Sequence, residues 1–322
     1  MLSGMTRREN LLAYGAWAAV CVFWGTTYLG IRIGLETLPP ALFGGARFSL
    51  AGAILLAFMR ARGARLPRGK EWLSLSVVGV MLLGVANGIV AWAEQWVPSS
   101  FAALILATSP FWLVGLDSLT AAGERFSRRL LAGFLLGLSG LALLVAPKLF
   151  GAQFDAFFLV GALSLQFGSL SWCAGSVYAK RRPVAVAPLM AAAAQMLAAG
   201  AFLLLLGTIF GEWPRFHFNG RTLAAFVYLL VFGSLVGYSA YTYIVQNLPL
   251  SVVALHSYIN PIIAVLLGWL ILSEPLNWRV GLAAVVILGG VALVKMAPQA
   301  KTPTHSSTAA LPAAPETCAA NQ

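Results

Sequence analysis

Long apolar stretches, divided by short polar or Pro/Gly-marked breaks, occupy almost the whole chain. A membrane-spanning helix needs roughly 20 mainly apolar residues. Ten stretches meet that need, at 12–33, 40–59, 72–92, 98–119, 130–147, 157–178, 186–210, 222–245, 249–272 and 279–297. The apolar/polar alternation over ~10 residues that marks an outer-membrane barrel does not occur. The first stretch is too long for a signal-peptide core and reads as the first span. The pattern predicts an all-α membrane protein of ten transmembrane helices.

Composition strengthens this. Hydrophobic residues make up 60% of the 322, charged residues only 10%, and mean hydropathy is +0.84. A soluble domain carries roughly 25% charged residues, so a water-covered surface is excluded. The net charge of +11 would suggest nucleic acid in a soluble protein. Here it reports topology instead. With a cytoplasmic N-terminus, fifteen of the 21 Lys and Arg fall in inner segments and five in outer ones, and Arg47 lies within the second span. That bias places both termini in the cytoplasm. The expectations at this point are a lipid bilayer as partner, no nucleic acid, and a monomer.

The chain also repeats itself. Shifted by 148, residues 24–56 lie on 172–204 without a gap, with eight of 33 positions identical. Trp24 meets Trp172, Arg32 meets Lys180, Pro40 meets Pro188, Gly52 meets Gly200, and Arg47 meets Gln195. Shifts of 149 and 151 bring Gly84, Gly88 and Trp92 onto Gly233, Gly237 and Tyr241, and Pro98, Ser100 and Pro110 onto Pro249, Ser251 and Pro261. Glu124 and Gly140 recur as Glu274 and Gly290 at equal spacing. Each unit holds five spans, an odd number, so the second must enter the membrane from the opposite side. Inverted repeats of this kind characterise secondary transporters, whose sites lie near the midplane between the halves. The expected division is a cytoplasmic N-terminus (1–11), two five-helix repeats (12–147 and 157–297) and a disordered cytoplasmic tail (298–322).

Three passages resemble the drug/metabolite transporter superfamily, in particular its EamA-type ten-helix members. They are FWGTTYLGIRIGLETLPPALFGGARFSLAGAILL, then PSSFAALILATSPFWLVGL followed by GERFSRRLLAGFLLGLSGLALLV, then PLSVVALHSYINPIIAVLLGWLILSEPLNWRVGLAAVVILGGVALV. The resemblance covers nearly everything outside the two tails. It implies efflux or exchange of small metabolites across a bacterial inner membrane, often amino acids and their derivatives. It also implies a central cavity lined mainly by helices 1, 3, 4, 6, 8 and 9. Such proteins regularly carry an arginine at the position of Arg47, outside those helices. Gln195 at the matching place in the second half departs from that pattern.

Several side chains within the spans are candidates for recognition. Pro110 and Pro261 remove backbone donors inside helices 4 and 9, as hinges or as static kinks. His256 and Asn260 share one face of helix 9, where helix 4 has Ile105 and Ser109. They are cavity groups or interhelical glue. Trp24 and Trp172, and Trp92 and Tyr241, are repeat-related aromatic pairs suited to amphipathic or zwitterionic ligands, or to packing. Asn87 is a deep amide that binds a carboxylate or caps a helix contact. Arg47 is the deepest charge and reads as structural. Glu94, at the outer end of helix 3, is a proton carrier or a solvated helix end.

Other chemistries find no support in the sequence. Cys21, Cys173 and Cys318 have neither metal-like spacing nor a disulfide pattern, and no cofactor motif occurs. The stretch from Gly63 to Lys70 has five residues between its glycines and no Ser or Thr after the lysine, so it is not a phosphate loop. The leading expectation is an exporter or exchanger of an amino acid or derivative working by alternating access, with protons as a candidate coupling ion. The alternatives are broad drug efflux, an organic-anion or nucleotide-sugar carrier, and a membrane sensor or assembly subunit that transports nothing.

Overall fold

A computed structural model describes residues 7–119, 128–150, 155–248, 250–253, 256–274 and 276–295. The tail at 298–322 lies outside these, as do Glu124, Pro249 and Cys318. The helices are α1 (Arg7–Gly34), α2 (Pro40–Ala61), α3 (Lys70–Ala93), α4 (Ser99–Leu106 and Ser109–Ser118) and α5 (Arg128–Phe150). The second half contributes α6 (Ala156–Arg181), α7 (Pro188–Ile209), α8 (Gly220–Asn247), α9 (Leu250–Val253 and His256–Leu272) and α10 (Trp278–Lys295). The protein is an all-helical membrane protein of ten helices in two inverted five-helix repeats. Six of these helices are long and apolar enough to cross a membrane by length and composition, and the apolar runs of α4, α5, α9 and α10 are shorter.

The observed helices match the predicted spans, with two physical differences. Helix α1 starts five residues early, because a polar turn outside the bilayer costs a helix nothing in hydrogen bonds. Helix α4 is not the single span expected at 98–119 and breaks at Ala107 and Thr108. Pro40 and Pro188, the repeat anchors, each stand at the first position of a helix. There the missing N–H has no intrahelical partner to lose.

Helix contacts come in repeat-related pairs. Helix α2 lies along α7, and α5 along α10. Helix α1 packs on α9 and α8, and α6 packs correspondingly on α4 and α3. The two halves therefore interlock, with each first helix held by helices of the other half. Small residues permit the closest approaches. A Cβ at Gly52 would stand 2.8 Å from the Leu197 nitrogen, and one at Gly200 would stand 2.5 Å from the Ser49 nitrogen. A Cβ at Gly290 would lie 2.7 Å from the Gly133 carbonyl oxygen. Leu, Phe, Val and Ile side chains such as Leu73, Phe167, Leu205, Leu270 and Val285 are exposed around the bundle, as a lipid-facing surface requires.

One helical irregularity is also duplicated. Val80–Asn87 in α3 and Leu229–Tyr238 in α8 are π-helical, and both begin at positions related by the 149-residue shift. π-helix is rare and concentrates at functional sites. The α1–α2, α3–α4, α7–α8 and α9–α10 connections share one end of the bundle, its far end.

Candidate functional site

Proline breaks open the first part of the site. Pro110 cannot donate to the Leu106 carbonyl, and the Ser109 hydroxyl does so instead. One residue earlier, the Thr108 hydroxyl donates to the Ile105 carbonyl at 2.7 Å. Gln166 of α6 adds its Nε2–H to the Ile105 carbonyl at 3.1 Å. Its Oε1 accepts from Trp112 Nε1 at 2.9 Å. The α4 backbone is thus opened and resatisfied by side chains. In α9, by contrast, the helix continues through Pro261. Asn260, with its amide oriented to satisfy both groups, donates to the His256 carbonyl at 3.1 Å and the Cys21 carbonyl at 2.9 Å.

Between the halves lies a cavity of ≈ 120 Å³, open on one side. Helices α1, α2, α3, α4, α6, α8 and α9 line it. An aromatic cluster stands in its wall. Trp24 meets Trp172 edge-on at 5.3 Å between centroids and lies 4.9 Å from Tyr241. His256 sits edge-on to both Trp24 (5.6 Å) and Tyr241 (5.9 Å). Polar bonds fix these rings. Trp24 Nε1 donates to the Gly233 carbonyl at 3.2 Å. That carbonyl lies within the π-helical stretch of α8. Gly237, in the same stretch, leaves the indole its room, since a Cβ there would lie 2.5 Å from Trp24 Nε1. Trp172 Nε1 donates to Tyr241 Oη at 2.9 Å, and Ser176 Oγ bonds that same hydroxyl at 2.8 Å. The His256 ring hydrogen-bonds through Nδ1 to the Val253 carbonyl at 2.7 Å.

Of the residues singled out in the sequence, Trp24, Asn87, Trp172, Tyr241, His256, Asn260, Pro110 and Pro261 all line this cavity. Trp92 does not. It is 37% exposed and stacks edge-on with Trp96 at 4.7 Å, because its position along α3 turns it to the outer surface. Arg47, read as lying outside the cavity helices, is instead on the lining. Its long side chain reaches inward from α2, buried to 4% exposure, and its Nη2–H donates to Asn87 Oδ1 at 2.9 Å. Glu94 is not a solvated helix end. Its carboxyl is fully buried, and neither oxygen accepts a hydrogen bond among the described residues. Arg32, Arg47 and Glu274 are near enough to interact with it electrostatically. Cys21 and Cys173 are buried free thiols.

Sequence reasoning missed Tyr28, Tyr238, Ser169 and Ser176 on the lining, and Gln166 behind it. The signal available for Gln166 was an amide deep in an apolar span, costly unless partnered. The repeat carried a second signal. Arg32 donates to the Glu94 carbonyl at the C-terminus of α3. Its counterpart Lys180 donates to the carbonyls of Val245 (2.9 Å), Gln246 (3.2 Å) and Leu248 (3.2 Å) at the C-terminus of α8. Cations belong at such helix ends, and the duplicated arrangement explains why a basic residue recurs there.

At the far end the halves are bonded to each other. Glu274, between α9 and α10, accepts from Ser99 N (2.9 Å), Ser99 Oγ (2.7 Å) and Ser100 N (3.0 Å) at the start of α4. Glu212, between α7 and α8, accepts from Leu42 N at 2.8 Å at the start of α2. Both place a carboxylate on unpaired N–H groups at a helix N-terminus. Thr37 Oγ1 reaches the His217 carbonyl at 2.7 Å, and Arg221 pairs with Glu36 at 3.2 Å.

The family model for the EamA-like transporter family matches the chain twice, over residues 11–146 and 159–296. The chain is 37% identical over 294 residues to the uncharacterized inner membrane transporter YedA of Escherichia coli K12, covering 91% of this chain and 93% of that protein. It is 24% identical to a probable amino-acid metabolite efflux pump of the same organism, over 89% of this chain and 94% of that one. A solved crystal structure shares the fold with a TM-score of 0.65 at 24% identity, covering 90% of this chain and 96% of that chain. Two matched repeats, ten helices and a cavity between the halves converge on one assignment: the chain belongs to the EamA-like transporter family and is a membrane transporter.

Proposed function

We propose that the protein is a secondary transporter that exports or exchanges a small metabolite, an amino acid or a derivative, by alternating access across a bacterial inner membrane. The observation that carries this reading is a single cavity lined from both repeats. An aromatic cluster and the polar groups of α9 face the same space. Rocking of one half against the other around such a space is the expected motion of inverted-repeat carriers. The duplicated halves offer matching helices, while His256 and Asn260 supply the asymmetry that an asymmetric ligand needs. The positive-inside bias supports cytoplasmic termini, and in this reading the far end, held by Glu212 and Glu274, faces outward.

The test is counterflow on purified protein reconstituted in vesicles. Amino acids and derivatives loaded inside should accelerate uptake of the labelled species, and Trp172→Ala should abolish this at normal membrane abundance. Absence of any substrate-dependent counterflow would favour a sensor or assembly subunit instead. In this reading the coupling ion is the proton, carried by the buried Glu94 carboxyl, with Arg32 and Arg47 near enough to act on it electrostatically. Glu94→Gln should then stop uphill export while leaving downhill exchange. Uphill export that persists in this variant rules out Glu94 as the carrier.

A further inference from the structure

Among the described residues, the cavity lining carries one formally charged side chain, Arg47. No carboxylate and no lysine stand on that wall. Bare cationic charge near mid-membrane is costly and is normally paired or used. Arg47 is stabilised without being saturated. Its guanidinium lies 4.3 Å over the Phe48 ring and 5.7 Å from that of Phe43. Nη2 donates to Asn87 Oδ1, while the Nε–H has no acceptor although it is buried. Glu94 is near enough to interact electrostatically, yet it accepts no hydrogen bond. It therefore occupies none of the guanidinium donors. Because Arg47 engages the oxygen of Asn87, the Asn87 NH₂ remains as a second donor on the same stretch of wall.

The related position in the other half behaves differently. Gln195 accepts from Tyr238 Oη at 2.8 Å and does not reach the lining. The cavity is thus polarised, with planar cationic donors at one place and the cluster of Trp24, Trp172, Tyr241 and His256 at another. A guanidinium presents parallel N–H groups that match a carboxylate, and such charge-assisted bonds are stronger than neutral ones. We propose that Arg47 and Asn87 form the subsite for a carboxylate of the transported metabolite. The substrates are then α-amino acids or small organic acids, not cations. This deepens the transport reading above and rests on it.

The experiment uses the full chain in vesicles loaded with an equimolar mixture of the twenty L-amino acids, their amides, 3-phenylpropionate and 2-phenylethylamine. Each compound lost faster than from protein-free vesicles is identified by mass spectrometry. The expected result is loss of carboxylates, with amides and the amine retained. Arg47→Gln, which installs the residue present at the related site in the second half, should slow the acids on the order of tenfold or more. Asn87→Asp, which offers Arg47 a competing carboxylate and leaves the guanidinium in place, should do the same by a separate route. Amides leaving as fast as acids, or acids leaving at the original rate from both variants, would overturn the subsite. If no compound leaves, the transport reading itself fails and takes the subsite with it.

Discussion

Helices α4 and α9 occupy related places in the two repeats and carry the same proline, yet they respond to it differently. Helix α4 opens at Ala107 and Thr108, whereas α9 runs unbroken from His256 through Pro261. Local chemistry accounts for the difference. Ahead of Pro110 stand Thr108 and Ser109, whose hydroxyls take the Ile105 and Leu106 carbonyls. The corresponding residues in α9 are Ile259 and Asn260, and isoleucine has no hydroxyl to offer. The carbonyl at the related position, that of His256, is taken by the Asn260 amide within the intact helix. Neighbouring helices follow suit. Gln166 braces the α4 opening from α6, while position 18 of α1, its counterpart, is alanine. Duplication preserved the proline, and side chains beside it decided whether it became an opening or a kink. At this level α4 is held open by its neighbours' side chains, and α9 carries His256 and Asn260 on the cavity lining within an intact helix.

The sharpest test exchanges the related residues Ile105 and His256 for alanine. His256→Ala should reduce counterflow at least about tenfold, while stability falls by about 1–3 kcal/mol, since the Nδ1 bond and the edge-on contacts with Trp24 and Tyr241 are lost together. Ile105→Ala, in a fully buried apolar site, should cost about 2–5 kcal/mol in stability. If both variants lose stability and neither loses transport selectively, the division of labour is wrong. Next in size is Gln166→Leu, which strands Trp112 Nε1 and removes one of the donors to the Ile105 carbonyl. Denaturation in detergent should show a loss of about 2–4 kcal/mol. A smaller loss of about 1–2 kcal/mol is expected for Asn260→Leu by the same measurement, since two amide bonds disappear. The smallest effect separates the prolines themselves. Pro261→Ala should stabilise by up to about 1 kcal/mol, because the helix around it is already formed and gains a donor. Pro110→Ala should leave stability nearly unchanged, because side chains already hold the opening. Equal responses of the two helices would erase the distinction.

Much of this was readable from residue order alone. Spans follow from the length of apolar runs, and the repeat follows from Trp, Pro and Gly anchors that prove to sit at helix starts and close contacts. Trp24, Trp172, Tyr241, His256 and Asn260 stood out because polar or aromatic groups at depth need a reason. Facing directions were not readable. In a helix that is apolar on every side, periodicity no longer distinguishes a lipid face from a protein face. Trp92 was therefore placed with Tyr241 although it points outward. Arg47 was assigned by its helix, but a side chain of that length reaches beyond it. Glu94 looked solvated by its position near a helix end, and only the packed bundle buries it. The α4 opening depends on Gln166, about 60 residues away in sequence, so no local window contains it.

The far-end bonds of Glu274 and Glu212 have an evolutionary consequence. Apart from the Ser99 hydroxyl, each glutamate grips main-chain N–H groups, which every residue except proline supplies. Substitutions at 42, 99 and 100 can therefore accumulate without releasing the fastening, provided they avoid proline. The two carboxylates have no such latitude. Aspartate is one methylene too short, and an amide gives up the charge that favours a helix N-terminus. Genetic fragility at this seam is thus concentrated in two codons. A random mutagenesis library selected for leaky vesicles should return Glu212 and Glu274 far more often than the residues they hold.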